Sequence, residues 1–78
     1  MPRFYFDVRK GGKLTPDDEG LEFPGVLGAR ADASRALGEM IKDAMPDGDQ
    51  LDMAVEVRGA DKRPLFKVQI TFEVQPLA

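Results

Sequence analysis

The chain has 78 residues, enough for a single domain over residues 1–78 whose one apolar core supplies only marginal stability. It contains neither cysteine nor histidine, which excludes disulfides, the common zinc and thiolate sites, catalytic triads and Cys–His dyads. Eleven basic and 14 acidic residues leave a net charge of −3, and the two signs alternate along the chain. Because nucleic-acid binding depends on clustered Lys and Arg, this pattern disfavours nucleic acid as a partner.

The sequence also predicts a protein with no membrane association. The N-terminal segment lacks the apolar stretch of a signal peptide, and no apolar run approaches the roughly 20 residues of a membrane span. The absence of cysteine fits a reducing compartment. We therefore expect a cytoplasmic protein.

The N-terminal segment predicts a β-hairpin. Apolar and polar residues alternate from Arg3 to Arg9, which indicates a strand with a buried aromatic face, and Gly11-Gly12 follows as a turn. A second strand between residues 14 and 23 is expected to be a short or interrupted edge strand, since Pro16 has no backbone donor. The residues expected to point inward on these two strands are Phe4, Phe6, Val8, Leu21 and Phe23.

From Val26 to Met45 the apolar residues recur every three or four positions, which predicts the only helix. Pro46 cannot continue the helical hydrogen bonds, so the helix is expected to end before it. The residues predicted on the buried face are Ala29, Ala33, Leu37, Met40, Ile41 and Ala44.

Two regular strands follow the helix. Residues 51–58 and 65–74 alternate with period two, and the loop between them has the length of a hairpin connection. We expect the inner face of the last strand, from Phe66 to Val74, to be covered by the helix. The predicted fold is α+β: a two-layer β-β-α-β-β arrangement in which one helix packs on the apolar face of an antiparallel sheet.

Acidic residues form two candidate metal sites, and neither has a convincing pattern. The first contains Asp17, Asp18, Glu19 and Glu22, and the second runs from Asp47 to Asp52. We interpret the first as a solvated loop that protects an edge strand and the second as an ordinary turn, since it lacks the spacing of a calcium loop. The sequence therefore predicts no catalytic residue, metal site or cofactor, and Glu56 and Glu73 are expected to pair with Arg58 and Lys67 across the sheet.

One possible interaction surface lies on the face of the sheet away from the helix. Its predicted members are Arg3, Tyr5, Arg9, Arg58 and Lys67. An aromatic ring beside cations resembles a minimal platform for stacking single-stranded nucleic acid, although such sheets normally present two or three aromatic rings. A role of Tyr5 in self-association or packing is the favoured interpretation, because tyrosine is common at protein interfaces.

Several segments resemble a family of short bacterial proteins without an assigned activity, of the kind found in alphaproteobacteria. The matching segments are Met1-Pro2-Arg3-Phe4-Tyr5-Phe6-Asp7, Asp18-Glu19-Gly20, the helix through Ala29 and Ala33, Pro46-Asp47 and Val55-Glu56-Val57-Arg58. The order of strand pair, Asp-containing turn, glycine and Ala-rich helix is also similar to small antitoxin domains of the HicB type. That second similarity implies a domain that binds a protein partner and forms a dimer.

We expect a non-enzymatic interaction domain that self-associates, with a dimer favoured and a free strand edge as the contact. Two alternatives are binding of single-stranded nucleic acid through Arg3, Tyr5 and Arg9, and an antitoxin-like domain that binds another protein. A third is a hydrolase with a hard metal ion at Asp17, Asp18 and Glu22.

Overall fold

The computed structural model describes residues 1–44 and 48–78. Within those ranges the chain forms five strands and one helix. In chain order they are β1 (Arg3–Lys10), β2 (Lys13–Thr15), β3 (Leu21–Glu22), α1 (Val26–Ala44), β4 (Gln50–Arg58) and β5 (Pro64–Glu73). One helix on an antiparallel sheet confirms the predicted α+β class.

β1 and β4 are the central strands of the sheet. Hydrogen-bonded neighbours follow the order β2-β1-β4-β5, and β3 also pairs with β1. In the two long antiparallel pairs, Phe6 lies opposite Val57 and Val55 lies opposite Val68. The predicted adjacency of the last two strands is confirmed. The N-terminal strand inserts between β4 and its own hairpin partner.

The second predicted strand is divided into two short pieces on the same side of β1. β2 pairs with residues 8–10 and β3 with residues 3–4, so the interruption expected at Pro16 is confirmed. Leu21 lies opposite Phe4 on the helix side, but its side chain is 52% exposed. The prediction that Leu21 packs inward is wrong, because α1 lies over β4 and β5 and leaves this edge open. Phe23 does pack inward, against Phe4 and Phe6.

The buried face of α1 is the one that the spacing predicts. Ala29 and Ala33 have no exposed surface, and Leu37 is 2% exposed. The two alanine side chains let the helix approach the sheet closely, and Met40 and Ile41 pack at the border of the core. α1 lacks the combination of length and apolar character that a membrane span requires. The predicted last residue of the helix, Met45, lies outside the described residues.

The inner face of β5 is less covered than the alternation predicts. Phe66 and Val68 are half-buried against the core and Phe72 is half-buried, whereas Ile70 is 36% and Val74 53% exposed. The prediction that the helix covers this whole face is therefore wrong. β5 is an edge strand, so its side chains have a neighbouring strand on one side only.

Replacing Gly38 with alanine is expected to raise the free energy of unfolding by about 0.5 to 1 kcal/mol. Gly38 is exposed in the middle of α1, and a Cβ atom built on it meets no atom within 4 Å. Urea unfolding of the variant measures the gain. Gly28→Ala is the matched control, because its Cβ atom would lie 3.3 Å from the Phe23 ring and should give less. Destabilisation by Gly38→Ala would contradict an open surface at this position.

Candidate functional site

The face of the sheet opposite α1, which we call the outer face, contains a buried ion pair. The Asp7 carboxylate accepts hydrogen bonds from Arg58 Nε at 2.7 Å and from Arg58 Nη2 at 3.0 Å. The two side chains are only 9% and 21% exposed. A bidentate pair of this kind fixes the relative position of two strands. It joins the middle of β1 to the end of β4.

Asp17 extends this ion pair into a network. Its carboxylate accepts backbone N–H groups from Phe6 at 3.0 Å, Glu19 at 3.0 Å and Gly20 at 3.1 Å. Its own N–H donates to Asp7 at 2.9 Å, and its carbonyl accepts from Arg58 Nη2 at 3.0 Å. Because β2 ends at Thr15 and β3 begins at Leu21, the Asp17 side chain supplies the acceptor that a continuous strand would offer Phe6.

This network corrects the interpretation of the first acidic cluster as a solvated loop. Asp17 is half-buried and holds the loop against β1, whereas Asp18 and Glu19 are exposed. Because Asp17 accepts the Phe6 N–H at the edge of β1, its role agrees with the prediction that this loop protects an edge strand. Periodicity does not reveal such a role, because the carboxylate acts through residues brought near it only by the fold.

The hydrogen bonds of the network lower the pKa values of its two carboxyl groups. Burial acts to raise the pKa of Asp7, but hydrogen bonds from Arg58 and from the Asp17 N–H outweigh it. Burial likewise acts to raise the pKa of Asp17, and is outweighed by the N–H groups of Phe6, Gly20 and Glu19 and by the positive charge of Arg58. Both carboxyl groups are therefore held as anions at neutral pH.

The five residues of the predicted interaction surface fall into three groups by their contacts. Tyr5 and Arg58 do lie together, with the guanidinium carbon 5.1 Å from the ring centroid, and Lys62 Nζ also lies 5.9 Å from that centroid. Arg3 lies two residues before Tyr5, but its guanidinium contacts the β3 side, where it donates to the Glu19 carbonyl at 2.6 Å and lies 3.6 Å from Glu22. Arg9 lies near the opposite end of β1.

Arg9 and Lys67 are brought together through Glu56 rather than through Tyr5. Arg9 Nε donates to the Glu56 carboxylate at 2.6 Å, and Lys67 lies directly opposite Glu56 on β5. The hydrogen bond from Arg9 lowers the pKa of Glu56. The expected pairing of Arg58 with Glu56 or Glu73 is therefore wrong, because Arg58 pairs with Asp7. Asp7 has no signal in the sequence beyond being an acidic residue inside a strand pattern.

The outer face offers little chemistry beyond ion pairing. An open groove of about 410 Å³ runs beside Arg58 and Lys67, but its charged groups include the Asp7–Arg58 pair and Glu56, which is bound by Arg9. Within residues 1–44 and 48–78, no three acidic side chains lie close enough to hold a metal ion. Asp47, which begins the second acidic candidate, lies outside those residues.

The second notable feature is the free side of β5, which we call the open edge. Val74 N–H donates to the Asp49 carbonyl at 2.7 Å, so the even-numbered residues of β5 direct their backbone groups toward β4. The backbone N–H and C=O groups of residues 67, 69, 71 and 73 consequently face outward, and the regular register ends at Phe66, since Arg58 lies opposite Pro64. In the part of the chain that the structure describes, no strand pairs with them.

A family model described as "Domain of unknown function (DUF6894)" matches residues 3–71 of the chain. That range includes all of β1 through α1 and β4, and most of β5. No curated protein and no solved structure matches the chain.

Proposed function

Because the chain belongs to the DUF6894 family, a domain of unknown function, we propose a function from its geometry: a non-enzymatic interaction domain that forms a homodimer. The observation that carries this proposal is the open edge of β5, a strand of 10 residues. An exposed edge presents a row of unpaired donors and acceptors that another strand can satisfy. Leu65 and Ile70 are exposed on this strand and Val74 is exposed directly after it, and they add apolar contact area.

The contrast between the two sides of the sheet supports a dimer over a longer assembly. On the β1 side the outermost strands are β2 and β3, of only three and two residues, which offer little edge to a partner. On the β5 side the edge is uncovered over its length in the described residues. Pairing of two open edges uses up both of them, so the association closes at two copies.

The charges of the outer face favour this function over catalysis. Enzymes tune general acids and bases toward neutral pH, whereas the pKa values of Asp7, Asp17 and Glu56 are all lowered by ion pairs and hydrogen bonds. The chain also has no histidine or cysteine. The proposal includes the cytoplasmic, bacterial setting expected from the sequence.

The same charges give less support to binding of single-stranded nucleic acid. Stacking on Tyr5 would compete with Arg58 and Lys62, which both lie near its ring. Arg9 is engaged by Glu56, and Arg3 lies beside Glu22. The cations that such binding needs are therefore already next to acceptors.

Sedimentation at micromolar concentrations tests the proposal, with a dimer expected. Thr71→Pro removes an N–H that faces the open edge and leaves the bonds to β4 in place, so it should give a folded monomer. Leu14→Pro is the matched control. Leu14 directs its N–H away from β1 on the opposite side of the sheet, so this variant should remain a dimer.

Two results would overturn the proposal. If the unmodified protein stays monomeric over the whole micromolar range, self-association is wrong. If Thr71→Pro remains a dimer while its circular dichroism shows a folded chain, the open edge is not the contact. If both proline variants lose the dimer, the substitutions disturb folding in general, and the open edge is not shown to be the contact.

A further inference from the structure

We infer that two copies of this chain join β5 to β5 with a twofold axis at Ile70, an inference that rests on the proposed homodimer. Two antiparallel copies of one strand can pair in several registers, and each register is defined by the residue at the axis. Three features of β5 together select one register: its charges, its apolar residues and the direction in which each residue points its backbone N–H and C=O groups.

The charges of β5 favour the axis at Ile70. Lys67 and Glu73 are its two charged residues, and they lie three positions on either side of Ile70. An axis at Ile70 therefore places Lys67 of each copy opposite Glu73 of the other, and Gln69 opposite Thr71. With the axis at Gln69, Lys67 would face Thr71, and with the axis at Thr71 it would face Gln75. Only the axis at Ile70 gives the two ion pairs, and opposite charges that face each other across two strands stabilise the pairing.

The apolar residues of β5 fit the same register. On the helix side of the sheet, Ile70 meets the Ile70 of the other copy, and Val68 lies opposite Phe72. Val74, which is 53% exposed, would lie opposite Phe66. The register thus covers Ile70 of β5 and Val74, which directly follows β5, the two residues of this face that the helix leaves exposed.

The backbone groups of β5 already point in the directions that this register requires, so neither copy needs to change conformation. The odd-numbered residues face the open edge, so Lys67–Glu73 and Gln69–Thr71 become hydrogen-bonded pairs. Ile70 directs its backbone groups toward β4, so it forms a non-hydrogen-bonded pair with the Ile70 of the other copy. An axis through that pair stands perpendicular to the sheet, so both copies of α1 lie on the same side of one continuous sheet.

Disulfide trapping tests the register, because the chain contains no cysteine. In a non-hydrogen-bonded pair the Cα atoms are about 4.5 Å apart, within the span of a disulfide. Ile70→Cys should therefore form a covalent dimer under mild oxidation. Glu73→Cys is the matched control, because its two thiols would be separated by six residues, about 20 Å, and should not join.

A charge exchange gives an independent test by sedimentation. Glu73→Lys places like charges opposite each other twice across the interface, whereas within one copy residue 73 faces only the neutral Gln50. It should raise the dissociation constant about three- to tenfold. The double variant Lys67→Glu, Glu73→Lys restores both opposite pairs and should recover the original value. Thermal unfolding of the variants at low concentration shows whether a change lies in the single chain or in the dimer.

The outcomes separate this inference from the proposed function. A dimer in sedimentation without a covalent product from Ile70→Cys would overturn the register and leave self-association standing. Equal cross-linking of Ile70→Cys and Glu73→Cys would also overturn the register. So would a double variant that dimerises as weakly as Glu73→Lys while its single chain keeps its stability. A monomer at every concentration would overturn both.

Discussion

Replacing Asp7 with alanine is expected to lower the free energy of unfolding by about 2 to 4 kcal/mol at pH 7. The Asp7 side chain is 9% exposed, and its carboxylate accepts both bonds from Arg58 and the N–H of Asp17. The variant leaves the Arg58 guanidinium without its carboxylate in a partly buried place, and it removes one attachment of the loop at Asp17. Urea unfolding followed by circular dichroism measures the loss.

Asp18→Ala is the matched control for this prediction. Asp18 is an exposed acidic residue in the loop that Asp17 holds in place, so its replacement should change stability by no more than about 0.5 kcal/mol. Equal effects of the two substitutions would mean that net charge matters and the buried pair does not. A loss below about 1 kcal/mol for Asp7→Ala would contradict a stabilising network.

The same network should make the protein sensitive to acid. The pKa values of Asp7 and Asp17 in the folded chain lie below the ordinary carboxyl value of 3.8. The stabilisation is therefore fully present above that value and is lost as the pH falls through the lowered pKa values. Unfolding measured between neutral pH and pH values below 3.8 should show a steep loss, and Asp7→Ala should flatten it. A slope unchanged in the variant would show that other groups cause the acid sensitivity.

The second large effect is expected from Gly20→Ala, which should cost about 2 to 4 kcal/mol. Gly20 has a φ of +73°, a conformation that side chains disfavour. A Cβ atom there would also lie 2.8 Å from the Phe4 carbonyl oxygen and 2.9 Å from Arg3 Cγ. Because the carbonyl belongs to β1, relief requires β3 or the loop to move. Urea unfolding measures the loss.

Gly11→Ala separates the two causes of that effect. Gly11 has a φ of +59° in the turn between β1 and β2, but a Cβ atom on it meets nothing within 4 Å. Its replacement should therefore show the backbone cost alone, about 1 to 2 kcal/mol. If Gly20→Ala lowers the free energy of unfolding no more than Gly11→Ala does, the close contact with β1 does not contribute to the loss.

The sequence patterns predicted those parts of the fold that depend on local periodicity. A period of two identified β1, β4 and β5, and a period of three to four identified the buried face of α1 from Ala29 to Ala44. The helix cover of β5 was overestimated at Ile70 and Val74, because alternation reports which face a residue is on and not whether the strand has two neighbours.

The candidate site was less predictable, because its contacts join residues that are distant in the chain. Arg58 was expected to pair with an acidic residue on a neighbouring strand, and it does, but the partner is Asp7 on β1. That choice depends on β1 lying beside β4, a strand order that periodicity does not determine. The bridging role of Asp17 likewise requires the gap between two strand pieces, whose length depends on how the loop folds.

The central position of β1 has a consequence for the order of folding. β4 and β5 form a local hairpin, whereas Asp7 and Arg58 are 51 residues apart in the chain, so β1 closes a long loop when it pairs with β4. Until β1 is in place, the hairpin has two bare sides, and β4 is as ready to accept a foreign strand as β5 is. Once the N-terminal strand has paired, it covers that side of β4 and leaves β5 as the long open edge, which limits aggregation through β4.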